Sequence, residues 1–407
     1  MTESAQLLLT LTGLDQPGIT AEICRVLSSC QADLVDIQQV TISPLLVMAL
    51  HIAVPVPPGE KVTEPAALVP GELLRLALRL DLQLRVQPFV PASAANSQEQ
   101  SYAVTCLAPT ISPSALYAIA NALAKMGVNI ERITRLTESS LKCIELTVHT
   151  PCELNRSELK RALFAVSNAV GVDIAVQPES LYRRSKRLIV LDVDSTLIQH
   201  EVIDELARLV GVEDEVARIT AEAMAGKLDF EAALRRRVSL LEGLEASRLK
   251  EVADRLELTP GARTLLTVLK KLGYKTAIVS GGFTFFTDLL KKDLDLDYAY
   301  ANTLEIVNGR LTGRLTGPII DARAKRQALV DIANREGIEL AQTLAVGDGA
   351  NDLLMLETAG VGVAFNAKPV VREAADLSIS QPNLDVLLYL IGIRERELTG
   401  LVTGVAR

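Results

Sequence analysis

The chain has 407 residues, of which 49% are hydrophobic and only 3% aromatic, with no tryptophan and a formal net charge of −8. This length indicates two or three domains, and each has enough apolar residues to bury a core. The scarcity of aromatic rings argues against base-stacking and carbohydrate sites, and the negative charge disfavours nucleic acid as a partner.

The five cysteines are odd in number and form no CxxC pair, which indicates reduced core thiols rather than a disulfide framework or a zinc site. The N-terminal Met-Thr-Glu-Ser lacks the basic stretch of a secretory signal. No uncharged apolar run reaches the roughly 18 residues that would cross a bilayer. We therefore expect a cytoplasmic protein that binds neither nucleic acid nor membrane.

The first 90 residues show the pattern of a βαββαβ unit. The turn Gly-Leu-Asp-Gln-Pro-Gly leads from the first strand into a helix with one apolar face, and Pro57-Pro58-Gly59 interrupts the chain after the third strand. Strands are predicted at 6–12, 33–42, 45–54 and near 82–87, and helices from Ile19 and Leu73.

The same pattern returns at an offset of 96 residues. Matching pairs include Leu11 with Leu107, Pro17 with Pro113, Ile23 with Ile119, Leu27 with Leu123, Leu34 with Ile130 and Ile37 with Ile133. Between the copies, residues 91–100 are small and polar, as linkers are. The sequence therefore predicts two related ferredoxin-like domains, 1–90 and 101–178.

These two units resemble ACT domains, which are small-molecule sensors that commonly bind amino acids at domain interfaces. Asp15-Gln16-Pro17-Gly18 carries the resemblance in the first copy, whereas the second has Ser114 in place of Gly18. The resemblance implies an effector site at Asp15 and Gly18, with L-serine as the expected effector, and a homodimer. The alternative is that both copies only pack or dimerise.

Residues 179–187 contain four basic side chains, and we expect them to form a solvated junction between domains. The third domain is predicted at 188–398, followed by a short tail, 399–407. Because Leu188–Leu191 is an uninterrupted run of large aliphatic residues, it predicts a strand buried in a parallel sheet.

Asp192 and Asp194 follow this strand at its carboxyl end, where open α/β sheets bind their ligands. Two carboxylates on one edge repel each other unless a cation lies between them. A hard ion such as Mg²⁺, shared with a phosphate oxygen, would remove that repulsion. The structural alternative is that the two aspartates merely cap the next helix.

Three further motifs lie downstream. Ser280-Gly281-Gly282 follows a buried strand at 274–279 and offers a hydroxyl and open backbone N–H groups to a phosphate. Lys325 lies near the start of a predicted helix. Gly-Asp-Gly-Ala-Asn-Asp, residues 347–352, follows a third strand and adds the carboxylates of Asp348 and Asp352. Each motif is weak evidence when taken alone.

In this order the motifs resemble those of haloacid dehalogenase-like phosphatases, over about residues 187–385. The resemblance implies an α/β fold, a doubly wound parallel sheet with a helical cap at about 200–258. It also implies that Asp192 attacks phosphorus, that Asp194 acts as acid and base, and that Asp192, Asp348 and the backbone carbonyl of Asp194 hold Mg²⁺. The residues it assigns to the phosphoryl group are Ser280, Gly281, Lys325 and Asn351.

Within the predicted cap, Glu201, Met224, Phe230 and Arg237 resemble the matching residues of the phosphoserine phosphatase family. That resemblance implies that Glu201 binds the ammonium group and Arg237 the carboxylate of O-phospho-L-serine. Arg237 follows Arg235 and Arg236, and such a run is also typical of a solvated helix face. Two alternatives remain open here, a phosphatase or phosphotransferase acting on another small phosphomonoester, and an amino-acid-sensing regulatory protein.

Overall fold

The computed structural model describes residues 4–56, 69, 71–89, 100–151, 154–224, 227–398 and 401. The chain divides into two compact units, residues 1–97 and residues 98–407. The first unit contains one copy of the repeat, and the second contains the other copy and a seven-stranded sheet. Within the described ranges, no helix combines the length and the apolar character needed to cross a membrane.

The first repeat is an antiparallel sheet whose two helices share one core with it. Its elements are β1 (Ser4–Leu14), α1 (Ile19–Ser29), β2 (Asp33–Ile42), β3 (Leu45–Pro55), α2 (Gly71–Arg79) and β4 (Gln83–Pro88). The strand order is β2-β3-β1-β4. The apolar residues of α1, spaced three and four apart, are buried against alternate residues of β1, so the predicted βαββαβ pattern is confirmed.

The second repeat has the same topology. Its elements are β5 (Gln100–Ala108), α3 (Pro113–Lys125), β6 (Asn129–Arg135), β7 (Lys142–Thr150), α4 (Arg156–Val170) and β8 (Asp173–Pro178). The strand order, β6-β7-β5-β8, matches the order β2-β3-β1-β4 of the first sheet strand for strand. The 96-residue offset holds through the third strand and then shortens, because the connection from Thr150 to Arg156 is shorter than that from Pro55 to Gly71.

The basic segment after β8 forms a short helix, α5 (Leu181–Arg184), and the prediction of a solvated junction is wrong for half of its charges. Arg183 is only 2% exposed and forms ion pairs with Glu145 and Glu179. Lys186 is also buried, and desolvation lowers its pKa to about 8. Half of this basic segment is therefore buried. Arg183 can be buried because Glu145 of β7 supplies a buried carboxylate.

The third sheet is parallel except at one edge. Its strands are β9 (Leu188–Leu191), β10 (Lys275–Phe283), β11 (Tyr298–Val307), β12 (Arg310–Thr316), β13 (Thr343–Gly347), β14 (Val361–Phe365) and β15 (Leu377–Ile379). They are ordered β12-β11-β10-β9-β13-β14-β15, and only β12 is antiparallel to its neighbour. Alternate residues of β9 pack into separate cores on the two faces, as a doubly wound sheet requires.

The predicted cap lies between β9 and β10 and is helical. Its helices are α6 (Val202–Val210), α7 (Glu213–Met224), α8 (Phe230–Ser239) and α9 (Leu249–Ala253). The chain enters and leaves the cap at one place, because the N–H of Gln199 donates to Glu257 O at 3.0 Å and Ile198 bridges to Leu258.

Helices after the cap cover the sheet or close the domain. They are α10 (Ala262–Lys271), α11 (Thr284–Asp293), α12 (Ala322–Arg335), α13 (Leu353–Thr358), α14 (Pro369–Ala374), α15 (Leu387–Leu390) and α16 (Glu395–Leu398). α12 packs against α13, next to the edge at which β9 and β13 end.

The second repeat docks onto this domain within the same compact unit. Leu107, Cys143 and Ala175 of its sheet belong to the buried core that also contains Ile189 and Leu191. Polar groups complete the contact: Asp173 Oδ2 accepts hydrogen bonds from Ser380 N at 2.8 Å and Gln381 Nε2 at 3.0 Å, and Gln177 Nε2 donates to Leu390 O at 2.9 Å. The sheet face that α3 and α4 leave open is therefore filled by the third domain.

Candidate active site

Asp192 lies directly after the central strand β9 and is 4% exposed. Its N–H donates to Val346 O at 2.9 Å, which fixes the strand end against β13. Oδ1 accepts hydrogen bonds from Val193 N at 2.8 Å and from Lys325 Nζ at 2.7 Å. Burial raises the pKa of Asp192, the neighbouring Asp352 carboxylate raises it further, and Lys325 opposes the rise.

Lys325 lies in the first turn of α12, whose N-cap is Asp321, and its side chain is fully buried. Nζ is 2.7 Å from Asp192 Oδ1 and 2.7 Å from Asp352 Oδ1. Although desolvation alone would lower the pKa of Lys325, these two carboxylates raise it above its ordinary value. The lysine is therefore a fixed cation between two acidic motifs.

Asp194 lies in a tight turn, Val193–Leu197, in which Ser195 has a left-handed backbone at φ 57°. Asp194 Oδ1 accepts from Val202 N at 2.8 Å, and Oδ2 accepts from Ser280 Oγ at 2.9 Å. Burial raises the pKa of Asp194, whereas these two hydrogen bonds lower it. Its carboxylate is thus held away from the lysine and directed toward the Ser-Gly-Gly turn.

The Ser-Gly-Gly turn follows at the end of β10. Ser280 is 1% exposed, and its Oγ accepts from Gly282 N at 2.7 Å while donating to Asp194. A Cβ on Gly281 would lie 3.2 Å from the Phe230 ring of the cap, and one on Gly282 would lie 3.0 Å from Asp194 Oδ2. Glycine at both positions therefore keeps space between the cap and the acid.

The third acidic motif closes the site beside β13. Asp348 Oδ1 accepts from Thr196 Oγ1 at 3.1 Å, and burial raises the pKa of Asp348 to about 6, with Asp352 adding to the rise. Asp352 Oδ2 accepts from Gly349 N at 3.0 Å. Asn351 lies in the same loop, with its amide oxygen against Gly349.

Three carboxylates converge at this edge of the sheet. One oxygen each from Asp192, Asp348 and Asp352 lie within 4.8 Å of one another. The side chain of Asp194 is not in this group, since it is bound to Val202 and Ser280. The resemblance implies Asp192, Asp348 and the backbone carbonyl of Asp194 as ligands, and that set stays a prediction. The donors are hard oxygens, which suit Mg²⁺.

Two charged groups of the cap, Glu201 and Arg237, interact electrostatically with Asp194. Glu201 directly precedes α6, and its Oε1 accepts from Ser195 Oγ at 2.9 Å. Although the residue as a whole is exposed, desolvation raises the pKa of its carboxyl to about 7, and Asp194 contributes to the rise.

Arg237 differs from the two arginines before it in α8. Arg235 and Arg236 are exposed and form ion pairs with Glu231 and Glu222. Arg237 is half-buried, and its Nε is buried with no hydrogen-bond partner among the described residues. Burial lowers the pKa of Arg237, and nearby carboxylates, Asp204 first, oppose this. A guanidinium whose Nε lacks a partner, and whose hydrogen bond to Thr220 Oγ1 is 3.5 Å long, can still bind an anionic group.

Comparison with known proteins is decisive for the family. A sequence model of haloacid dehalogenase-like hydrolases matches residues 186–360, and two ACT-domain models match residues 5–87 and 100–177. Phosphoserine phosphatase of Streptomyces coelicolor is 45% identical over 395 residues, which cover 96% of this chain and 93% of that protein. The chain belongs to the phosphoserine phosphatase family.

Other members of the phosphoserine phosphatase family support this placement. Phosphoserine phosphatase SerB2 of Mycobacterium tuberculosis is 40% identical over 411 residues, covering 99% of this chain and 97% of that protein. A solved structure of a probable phosphoserine phosphatase from Vibrio cholerae is 36% identical, covers 76% of this chain and 90% of its own, and superposes with a TM-score of 0.56. The expected fold and phosphoric monoester hydrolase class are thereby confirmed.

The predicted effector turn is at the start of α1, in the first compact unit. Asp15 and Gly18 are both exposed. Asp15 N donates to Pro44 O at 2.8 Å, and Asp15 Oδ2 accepts from Thr41 Oγ1 at 3.3 Å. Gly18 has φ 98°, and a Cβ there would meet nothing within 4 Å. The turn is open to solvent, and effector binding stays a prediction.

Two further residues, Asp352 and Thr196, belong to this phosphatase site. The sequence motifs predict no specific role for the Asp352 carboxylate, although it binds Lys325 and lies in the acidic cluster. Thr196, two residues after Asp194, is not among the predicted site residues, yet it is fully buried and donates to Asp348. Both residues lie in or next to a predicted motif, and this position in the chain is the sequence feature that could have indicated a role in the site.

Proposed function

We propose that this protein hydrolyses O-phospho-L-serine to L-serine and phosphate through a phosphoaspartate at Asp192. The observation that supports this most is the pairing of two acids with different surroundings. Asp192 is bound to Lys325, whereas Asp194, two residues later, is bound to Ser280 and lies below Glu201 and Arg237. One acid is placed for attack on phosphorus, and the other for proton transfer.

In the first step an oxygen of Asp192 forms a bond to phosphorus, and the bond from phosphorus to the serine oxygen breaks. Oδ1 is occupied by Val193 N and Lys325 Nζ, and the other oxygen accepts no hydrogen bond within the described part of the chain. That second oxygen is the proposed nucleophile. Asp194, whose pKa is raised by burial, donates its proton to the leaving serine oxygen.

In the second step water attacks the phosphoaspartate. Asp194, now ionised, accepts a proton from that water, and the phosphorus–oxygen bond to Asp192 breaks, which restores both carboxyl groups. Lys325 and the backbone N–H of Gly281 are proposed to stabilise negative charge on the phosphoryl oxygens during both steps, whereas the N–H of Gly282 is bound to Ser280 Oγ.

The acidic cluster fits a bound Mg²⁺, because three buried or half-buried carboxylates beside one lysine need further positive charge. Asp192, Asp348 and the backbone carbonyl of Asp194 would hold it. When bound, the ion neutralises the carboxylates and the phosphoryl oxygens. Asp352 forms an ion pair with Lys325 and accepts a hydrogen bond from Gly349 N, so it helps to orient both motifs.

Substrate choice is assigned to the cap. The guanidinium of Arg237, whose Nε has no partner among the described residues, is suited to the serine carboxylate. Glu201, when ionised, is suited to the ammonium group. Phe230 lies over Gly281, so the cap covers the phosphoryl site and limits the entry of water.

The test is phosphate release from a set of matched esters, with and without Mg²⁺. O-phosphoserine carries an ammonium and a carboxylate, O-phosphoethanolamine only the ammonium, and glycerol phosphate neither. We expect the highest kcat/KM for phosphoserine, with activity lost on metal removal. Equal values for all three would favour another phosphomonoester, and no release from any ester would favour an amino-acid-sensing protein without activity.

We also propose that the ACT domains make the enzyme responsive to L-serine through the turn at Asp15 and Gly18, and that the protein acts as a homodimer in the cytoplasm, in serine biosynthesis. The open turn and the exposed, partly apolar edge strand β2 support a ligand and a partner chain, respectively. The four described cysteines are free, which suits a reducing compartment.

A further inference from the structure

A buried asparagine beside the active site belongs to none of the sequence motifs. Asn302 lies in β11 and is 1% exposed. The register of β10 against β11 shifts between Val279 and Phe283, and Phe283 pairs with Asn302. The extra residues of β10 form a bulge, which is the Ser280–Gly282 turn. Asn302 is therefore the residue of the neighbouring strand at the point where the phosphate-binding turn leaves the sheet.

Both ends of the Asn302 amide are used. Nδ2 donates to Gly281 O at 2.8 Å, and Oδ1 accepts from Ile320 N at 2.8 Å. If the amide were turned over, its NH₂ group would face an N–H and its oxygen would face a carbonyl, so the backbone fixes its orientation. The side chain thus joins two segments that are distant in sequence.

The first bond continues toward the acid. Because a peptide unit is planar and trans, the carbonyl of Gly281 and the N–H of Gly282 point in opposite directions. Asn302 holds that carbonyl, and the Gly282 N–H donates to Ser280 Oγ at 2.7 Å. Ser280 in turn donates to Asp194 Oδ2 at 2.9 Å. Asn302, the Gly281–Gly282 peptide and Ser280 thus form a continuous chain of hydrogen bonds that ends at Asp194, the proposed proton donor.

The second bond continues toward the cation. Ile320 directly precedes Asp321, whose side chain accepts from Ala324 N at 2.8 Å and caps α12. Lys325 lies in the first turn of that helix. The Asn302 amide therefore sets the distance between the phosphate-binding turn and the start of the helix that carries the lysine.

We infer that Asn302 is a positioning residue for phosphoryl transfer, acting through the Ser280–Gly282 turn and α12 without touching the substrate. The inference rests on the proposed function. Without the amide, the part-buried Gly281 carbonyl and Ile320 N–H lose this partner, and the turn can relax. Misplacement of a reacting group by about 1 Å can lower a rate ~100-fold, so the turnover step is the sensitive quantity.

The experiment compares Asn302→Ala and Asn302→Leu with Thr276→Val, in the full-length enzyme. Thr276 is a matched control because it is equally buried, lies in β10 away from the active-site end, and donates to Asp297 Oδ2 at 2.9 Å. We expect all three variants to lower Tm to a similar extent. The Asn302 variants should lose about 10- to 100-fold in kcat per folded molecule, with KM changed less than about threefold. Thr276→Val should keep the wild-type kcat.

Asn302→Leu separates hydrogen bonding from volume, since leucine fills a similar space with no polar atom. A wild-type kcat in either Asn302 variant would overturn the inference, as would an equal loss in Thr276→Val. If both fail to fold, Asn302→Ser gives the same test in a milder form, and an unchanged kcat there also overturns it. A wild-type protein that releases no phosphate would refute the proposed function instead, so the two failures are distinguishable.

Discussion

Replacement of Arg237 by alanine tests the recognition of the substrate carboxylate. Arg237 is half-buried, and its Nε has no hydrogen-bond partner among the described residues. Its Nη1 donates to Thr220 Oγ1 over a long distance of 3.5 Å. The charged hydrogen bonds that a carboxylate would gain there are worth about 1.5–3 kcal/mol. Because 1.4 kcal/mol is roughly tenfold, Arg237→Ala should lower kcat/KM for phosphoserine about 10- to 150-fold.

The assay measures kcat/KM for phosphoserine and for O-phosphoethanolamine, which keeps the ammonium group and lacks the carboxylate. Loss of the Arg237 charge also makes Glu201 harder to ionise, but that effect acts on both substrates, so the ratio isolates the carboxylate contact. Arg236→Ala is the matched control, because Arg236 is the exposed neighbour that pairs with Glu222. Equal losses on both esters would refute the assignment and would place Arg237 in a cap-supporting role.

Three further predictions concern the acid, the cap and the effector turn. Asp192→Asn should abolish turnover with no loss of Tm, because an amide of the same size cannot attack phosphorus; wild-type activity in a sample shown by mass to be free of deamidation would contradict this. Because the pKa of Glu201 is raised to about 7, the carboxyl is neutral below that pH and ionised above it. The ratio of kcat/KM for phosphoserine to that for glycerol phosphate should therefore fall toward tenfold per pH unit below about pH 7, and a flat ratio would exclude Glu201 as the ammonium ligand. Gly18→Val should relieve inhibition by serine while leaving the uninhibited rate unchanged, because valine is strained at φ 98°. Gly171→Val, at φ 67° at the end of α4, also places valine at a positive φ and should leave the inhibition in place. Inhibition that persists unchanged in Gly18→Val and is purely competitive would mean that serine acts only as product.

The parts that sequence could predict are those in which local pattern and burial agree. The α1 residues Ile19 and Ile23 repeat with helical spacing, and the run Leu188–Leu191 has no polar interruption, so both were assignable without a partner. The ordered motifs predicted one site because the carboxyl ends of parallel strands meet at one edge, as the ends of β9, β10 and β13 do.

The parts that sequence could not predict depend on a partner far along the chain. Arg183 is buried because Glu145, 38 positions earlier, supplies a carboxylate, and no local pattern marks that pairing. Asn302 lies in an ordinary strand, and its importance comes from a bulge in the neighbouring strand and from Ile320. Such roles are properties of the sheet register and appear only once the strands are paired.

The docking of the second repeat has a consequence for where this chain can be shortened. Leu107, Cys143 and Ala175 belong to the core of the third domain, so a fragment beginning at β9 would leave apolar surface of that core open to water. It would also strip Ser380 N of its acceptor on Asp173. A cut before β5 respects the boundary between the compact units and leaves this core intact. We therefore expect a fragment of this chain that begins at β5 to be more stable than one that begins at β9, so shortening, grafting or circular permutation should keep β5–α16 together.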